Sequence, residues 1–485
     1  MTSVAWWQSQ KEFPYLGRKL RLLVVPPNSG GCAYYRAIMP GEKLAELFPN
    51  VIEVRFNQNP LGLDEATGKW IENFDWEDMK WCDMVLMNNI SNFGGAYTAR
   101  VCGKAKEMDK IFVYDTDDLL TQLYKGHRLE KVYEEGLSDT TKFIYYNSDI
   151  ITVTQKKFAE RIKPFVGNGI LAVVKNAIDY DLPAWNMDRV ESPGVCRFGW
   201  AGGIHHEEDV KEFLSVPAIV NQKVGHAKVK WDFYGRPPIE QFPLPPKGAF
   251  KLPNVDLRKK KYFEHPEITS IVDAYRLEHQ HNEYELGRVN DWMTKVVKWE
   301  KDQWQQDVWR NYEKRLMAYN KGTANYSIYF ALPADRYGVF YSNMDVALAP
   351  LQMNEFNDSK SDIKIAECGR YKVPLVASNV GCYDEIIVNG ENGYLIDPDE
   401  GKHRWKEILV KLAREPKTRQ RMGEALHETT EEMFNINKVG HHRLEVYKEF
   451  LKWQKTVGEV KGNDHNDNQD NWETDASELS EERVG

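Results

Sequence analysis

Twelve short apolar runs, six on either side of a proline-rich break, constrain what this chain can fold into more than any other feature. The first six are LRLLVVPP (20–27), VIEVRF (51–56), DMVLMNN (83–89), KIFVYDTDD (110–118), DIITVT (149–154) and ILAVVKN (170–176). Segments long enough for helices, such as AIMPGEKLAELF and TQKKFAERIKPF, lie between them. Strands that alternate with helices build βαβ units around a parallel sheet. The runs are nearly continuous in apolar residues, as strands covered on both faces require. DYDLPAWNMDRVESPG (179–194) then breaks the rhythm and reads as a linker. After it come CRFGWAG (196–202), VKWDFYG (229–235), SIYFALP (327–333), DVALAPL (345–351), VPLVASN (373–379) and GYLID (393–397). The expectation is an α/β chain of two Rossmann-like domains, 1–178 and 195–425. Sheets of this kind bind ligands at the carboxyl ends of their strands, so two of them facing each other enclose a cleft. A C-terminal helix (426–460) should cross back to the first domain, followed by a disordered tail (461–485).

Residues 244–326 are too long for a βα connection and form an insertion in the second domain. Its helical part, 283–320, carries an apolar stripe of Val289, Trp292, Val296 and Trp299, continued after a phase shift by Val308, Tyr312, Leu316 and Tyr319. A packed amphipathic hairpin is the plainer reading. An acceptor-binding or oligomer-forming element is the functional one.

The chain of 485 residues has no run of eighteen apolar residues and no basic-then-apolar leader, which points to the cytoplasm and to no membrane span. Six cysteines are scattered without a CxxC pair, as free thiols in a reducing compartment would be, and no metal site is expected. The net charge of −9 is concentrated in the tail, where eight acids and one Arg follow Gly462. The rest of the chain is close to balanced.

The stretch SKSDIKIAECGRYKVPLVASN (359–379) is the most informative for chemistry. Helical offsets of four and three place Lys360, Lys364 and Glu367 on one face, directly before a buried strand. Such spacing commonly makes a solvated Lys–Glu ladder. Here the helix start falls at a strand's carboxyl edge, where free N–H groups and the dipole attract anions. Two cations and a carboxylate are what a nucleotide diphosphate and its ribose hydroxyls need.

The longer stretch FNDSKSDIKIAECGRYKVPLVASNVGCYDEIIVNGENGYLID resembles the donor-binding motif of retaining GT-B glycosyltransferases of the family 4 group. Pro374, Val376, Ala377, Ser378, Gly381, Glu385, Gly390, Asn392, Gly393 and Leu395 stand in matching places. The resemblance assigns Glu367 to the donor ribose; the family's first glutamate falls at Ser359 and is missing. It implies a GT-B fold and transfer of a sugar from a nucleotide diphosphate sugar to an acceptor hydroxyl, with retention. No cofactor beyond the donor is implied.

Three further segments join this site. In FGWAGGIHHEEDV (198–210), Gly202 and Gly203 bring backbone N–H groups to a phosphate. His206 and Asp209 fit a G-x-x-x-H-x-x-D pattern seen in some members, or simply a helix start. Arg236, at the end of the next strand, is placed on the donor side. In VYDTDDLL (113–120), Asp117 takes the place of a histidine that faces the donor in the family, with Asp118 beside it; a metal-binding D-x-D of the GT-A kind is the competing reading. In PPNSGGCAYYRAIMPGEKL (26–44), Gly30, Gly31 and Arg36 belong to the first domain's approach to donor and acceptor. That segment is similar to those of glycosyltransferases encoded by tailed phages, so hydroxymethylated DNA stands beside a saccharide as acceptor. RKKKY (258–262) would serve the DNA. A nucleotide-sugar epimerase and an inactive binding protein are the other classes open.

Overall fold

The computed structural model describes the chain except residues 1–2, 29, 58–60, 64–69, 73, 90–94, 128–129, 131–132, 204–205, 212–213, 238–242, 254–264, 320–324 and 464–485. Each of the twelve apolar runs contains a strand. The first half holds β1 (Leu20–Val25), β2 (Ile52–Phe56), an antiparallel pair β3 (Leu61–Leu63) and β4 (Trp70–Glu72), then β5 (Met84–Asn88), β6 (Ile111–Asp115), β7 (Ile150–Val153) and β8 (Ile170–Val173). The second half holds β9 (Cys196–Ala201), β10 (Val229–Arg236), β11 (Tyr326–Phe330), β12 (Val346–Ala349), β13 (Leu375–Ser378) and β14 (Gly393–Ile396).

The strands make two six-stranded sheets in the orders β2-β1-β5-β6-β7-β8 and β11-β10-β9-β12-β13-β14. Every pairing within them is parallel. In each sheet the order reverses beside its first strand, at β1/β5 and at β9/β12. Those reversals are the switch points where doubly wound sheets open a crevice at their carboxyl edge. Both faces of each sheet are buried. Leu23, Val85, Phe112 and Ile151 point to one core, while Leu22, Val24, Leu86 and Val113 point to another. In the second sheet Phe198, Trp231 and Val346 face the helix Gly401–Arg414 through Trp405 and Leu409. Ala347, Leu375 and Ala377 face the opposite side.

The two halves are joined twice. Ile178 exchanges backbone hydrogen bonds with Phe434 and Ile436. The helix His441–Asn463 then returns to the first domain, where Leu444, Tyr447 and Phe450 pack with Leu20, Leu22 and Trp7. The linker is not loose: Trp185 is buried between Tyr341 and Tyr371.

The insertion is a helical hairpin. Val289, Trp292 and Val296 of Glu283–Tyr319 pack on Ile268, Val272 and Tyr275 of Pro266–Glu278. Farther along, Trp309 and Tyr312 enter the core of the second domain, so Trp309 takes the buried place expected of Val308. Arg288, Lys295 and Arg310 each pair with an acid one turn away on the same helix. RKKKY and the acidic tail from residue 464 lie outside the described residues. Among those described, no helix is long and apolar enough to cross a membrane.

Candidate functional site

A cavity of about 380 Å³ lies between the carboxyl edges of the two sheets. Gly31, Cys32, Asp117, Asp118, Gly202, Gly203, His206, Lys360, Lys364 and Glu367 all line it. Residues more than three hundred positions apart thus share one cleft.

The strap and helix after β12 form one wall. Helix Glu355–Asp358 ends at Asp358, four residues run without helical structure, and helix Ile363–Arg370 begins after Asp362. Lys360 therefore sits in the strap ahead of the helix, not on its face as the spacing predicts. Lys364 and Glu367 are on the helix and paired. Lys364 Nζ donates to Glu367 Oε2 at 2.8 Å, and the Tyr341 hydroxyl donates to the same oxygen at 2.6 Å. Both of these partners use Oε2. Glu367 is only 2% exposed yet lines the cavity, so Oε1 is the oxygen left for a ligand. Burial pulls the Lys364 pKa down, but Glu367 beside it outweighs this and leaves it raised. Tyr337 and Tyr341 lie under the ammonium as π faces.

The glycine turn after β9 forms a second wall. Gly202 N–H donates to Tyr234 O at 3.0 Å and is not free for an anion. That removes one of the two amides the sequence offered a phosphate. The turn is close because Gly235 has φ +128°, and a Cβ there would stand 1.9 Å from Gly202 O. His206 follows the turn, its Nδ1 2.7 Å from Asp209 Oδ2. Asp209 is buried and accepts from Gln352 N and Asn357 Nδ2 through its other oxygen. A carboxylate at Nδ1 places the proton there and leaves Nε2 as the free ring nitrogen. Burial lowers the His206 pKa despite Asp209, so the ring is neutral at pH 7. His206 stands at the N-cap of the short helix Glu207–Val210 but its side chain makes no capping bond there; Asp209 ties the ring to the β12 loop.

The third wall is an acidic corner of the first domain. Asp117 and Asp118 follow β6, and Cys32 follows β1. Their ligand-capable atoms lie within 4.8 Å of one another, the one such trio among the described residues. Asp117 Oδ1 accepts from Asn89 Nδ2 at 2.7 Å. Burial and the neighbouring Asp118 raise the Asp117 pKa to about 6, against hydrogen bonds from Cys32 and Asn89 and the charge of Arg36. Asp117 above all pushes the Cys32 thiol up, keeping it protonated. The cation that meets this corner is Lys360, 3.7 Å from Asp118.

Other expected site residues stand elsewhere. Arg36 is wholly buried, so it meets neither phosphate nor acceptor. Its guanidinium donates to both oxygens of Asp115 at 2.8 and 2.7 Å and to Val174 O at 2.6 Å. Arg443 from the returning helix joins the same carboxylate at 3.1 Å. Burial alone would raise Asp115, but the two guanidiniums and the Thr152 hydroxyl hold it below the usual carboxylate range. Gly30 ends the loop just before the cavity and is not part of its lining. Arg236 bonds Gln306 and lies 3.9 Å from Glu313 of the insertion, so it braces that helix and does not line the cleft. Ser359, at the position of the missing glutamate, is buried; it donates to Glu355 O and accepts from Arg161. Tyr337, Tyr341 and Asn176 were not singled out in the sequence. A lone tyrosine or asparagine has no pattern that marks it.

Residues 308–429 match the family model described as glycosyl transferases group 1. No curated protein matches the chain in sequence. Among solved structures, sucrose-phosphate synthase from Thermosynechococcus elongatus superposes with a TM-score of 0.51 at 12% identity, covering 92% of this chain and 100% of that one. A glycosyltransferase from Rickettsia africae gives 0.48 at 14% identity, with 90% and 99% covered. Anabaena HepE in complex with UDP-glucose gives 0.48 at 11% identity, with 90% and 100% covered. The chain thus has the GT-B fold, two Rossmann-like domains facing a cleft, and its second domain carries a match to glycosyl transferases group 1.

Proposed function

We propose that the protein transfers a sugar from a nucleotide diphosphate sugar to an acceptor hydroxyl, with retention at the anomeric carbon. One observation carries this: a buried carboxylate with a free oxygen and two lysine ammoniums stand in sequence along one wall of the interdomain cleft. The glycosyl transferases group 1 match, which spans Lys360, Lys364 and Glu367, supports the same reading. Glu367 Oε1 would accept from the ribose hydroxyls. Lys360 and Lys364 would face the two phosphates, aided by the start of helix Ile363–Arg370.

In the reaction the bond from the anomeric carbon to the diphosphate oxygen breaks and its electron pair leaves with the phosphate. The acceptor oxygen bonds that carbon on the same face, and its proton passes to the departing phosphate oxygen. Negative charge grows on the diphosphate as the bond stretches, which is where the two ammoniums would act most strongly. Positive charge grows on the sugar ring. Ionised Asp117, on the facing domain, would offset it. His206, neutral and oriented by Asp209, would present Nε2 to a sugar hydroxyl.

The test is a panel of UDP-, ADP-, GDP-, CDP- and dTDP-sugars against saccharides and hydroxymethylated DNA. Nucleoside diphosphate release is followed, products are weighed by mass spectrometry, and the anomeric configuration is read by proton NMR. Donor isomerised without release would make the protein an epimerase. No release from any donor would overturn the reading.

A further inference from the structure

The strap that carries Lys360 belongs to the second domain, yet first-domain side chains hold it at every residue. Arg161 pairs with the Asp358 carboxylate, and Lys157 Nζ lies 3.4 Å from its other oxygen. Arg161 also donates to Ser359 Oγ at 3.0 Å. Gln155 Nε2 donates to Asp358 O at 2.8 Å and reaches Lys360 O at 3.4 Å. Asn176 Nδ2 donates to Ser361 Oγ at 2.9 Å. Lys175 Nζ donates to Asp362 at 2.6 Å and to Glu385 at 3.2 Å.

Two features show that this is a built contact rather than a surface coincidence. Asp362 and Ser359 are both 0% exposed, so in this arrangement Lys175 and Arg161, and not water, meet their side-chain oxygens. The glycine loop after β13 is shaped around the same strap. Gly381, at φ +82°, donates its N–H to Asp358 Oδ1 at 3.1 Å, while its carbonyl accepts from Lys157 at 2.6 Å. The strap has little of its own to fix it, being four residues between two short helices. Within its own domain it is tied back to the preceding short helix by Ser359 and by the Lys360 N–H on Asn357 O, and its side-chain ion pairs and the Asn176–Ser361 bond come from the neighbouring domain.

We infer that the diphosphate subsite of the second domain is completed by the first domain, with Arg161, Gln155 and Lys175 as positioning residues that set where Lys360 stands. The inference rests on the reading of the cleft as a nucleotide diphosphate sugar site and deepens it. A nucleoside diphosphate would then bind the closed arrangement of domains and favour it, because closure is what brings the strap into place. The nucleoside end, held at Glu367 on a regular helix, is independent of the latch.

Arg161→Gln tests this, since Arg161 touches neither the cavity nor any residue proposed to meet the donor sugar. The probes are UDP, ADP, GDP, CDP and dTDP, with the matching nucleoside of whichever binds wild type most tightly. Affinities are measured by titration calorimetry for the diphosphate and by competition for the nucleoside. Coupling between domain closure and a ligand is typically 5–150-fold, so a loss of about tenfold in diphosphate affinity is expected. Nucleoside affinity should stay unchanged, and Arg161→Lys should recover most of the loss. Gln155→Met, which keeps every charge, should lower the same ratio by a smaller factor. If the diphosphate and nucleoside affinities fall together, or neither falls, in both variants, the inference is overturned while the donor site stands. If no nucleoside diphosphate binds wild type, the reading of the cleft fails and takes the inference with it.

Discussion

Replacing Lys364 by methionine should expose how much of the donor wall depends on charge pairing. Glu367 is 2% exposed, and its carboxylate has two partners on Oε2, the Lys364 ammonium and the Tyr341 hydroxyl. Lys364→Met keeps most of the length of the side chain and removes the one cation that pairs with that carboxylate among the described residues. Breaking a buried pair from one side costs about 3–5 kcal/mol, because the remaining charge is left uncompensated. The lysine side chain is 24% exposed, so solvent screens part of this and about 3 kcal/mol is the expected loss. Lys364→Met combined with Glu367→Gln removes both charges and keeps the tyrosine contact, so most of that stability should return. Turnover should behave differently. Losing a charge-assisted contact to the departing diphosphate costs roughly 2–4 kcal/mol of transition-state stabilisation. At 1.36 kcal/mol per tenfold, kcat/KM should fall between about 30-fold and about 1000-fold in Lys364→Met, and at least as far in the double variant, which also weakens the ribose contact. Urea unfolding followed by circular dichroism gives the first comparison; midpoints are compared because a two-domain chain need not unfold in one step. Nucleoside diphosphate release gives the second. A wild-type midpoint for Lys364→Met would refute the buried pair. Activity restored in the double variant would refute the role of the cation.

The acidic corner should respond to pH. The Asp117 pKa is raised to about 6, so its protonated form favours the fold, and that stability is lost as pH rises from the ordinary carboxylate range through about 6. Asp117→Asn should therefore raise the melting temperature at pH 8, change it little at pH 4, and remove an inflection near pH 6 from the kcat/KM profile. Gly235→Ala should disrupt the glycine turn and donor binding, since its Cβ would meet Gly202 O at 1.9 Å; Gly103→Ala, with nothing within 4 Å, serves as the tolerated control in expression and calorimetry. Truncation after Lys461 should leave melting temperature and donor cleavage nearly unchanged, because the last described buried side chain of the returning helix is Leu451. If DNA is the acceptor, neutralising Lys259, Lys260 and Lys261 should flatten the salt dependence of its binding by roughly 0.9 per lost phosphate contact, leaving donor hydrolysis untouched; wild-type protein that fails to bind hydroxymethylated DNA at low salt removes that acceptor.

The architecture was readable because a strand covered on both faces leaves a nearly unbroken apolar run, as the central strands β1, β5, β6, β9, β12 and β13 do; the edge strands β2, β8 and β11 are partly exposed and were legible from their place in the βα rhythm. What surrounds the strands was less visible. Trp185 stands in a polar, proline-broken stretch that looks like a free linker, and its burial against Tyr180, Tyr341 and Tyr371 shows that it is packed. The apolar stripe of the long helix coincides with its buried face where it meets the hairpin partner, at Val289, Trp292 and Val296. It slipped by one residue where the same helix turns to a different core, at Trp309. A helix that serves two cores has two phases, and periodicity cannot say where one gives way to the other.

For the site, legibility follows distance along the chain. Lys364 and Glu367 are three residues apart on one helix, so their pairing could be derived from helical geometry alone. Arg161 and Asp358 are 197 residues apart, and nothing local marks either as the other's partner. Charge by itself also fails to separate roles. Arg36 and Lys360 both looked like phosphate ligands, but Arg36 follows β1 by a turn and a half of helix and meets Asp115, whose carboxylate no sequence pattern orients. Asp115 and Asp117 are two residues apart; one is sealed under two guanidiniums, while the other opens on the cleft, because β6 ends between them. The same carboxylate chemistry thus serves as a core tie at one position and a cleft group at the next. Where the sheet stops decides which, and that makes the end of a strand the most informative boundary to locate when a site of this kind is sought in sequence.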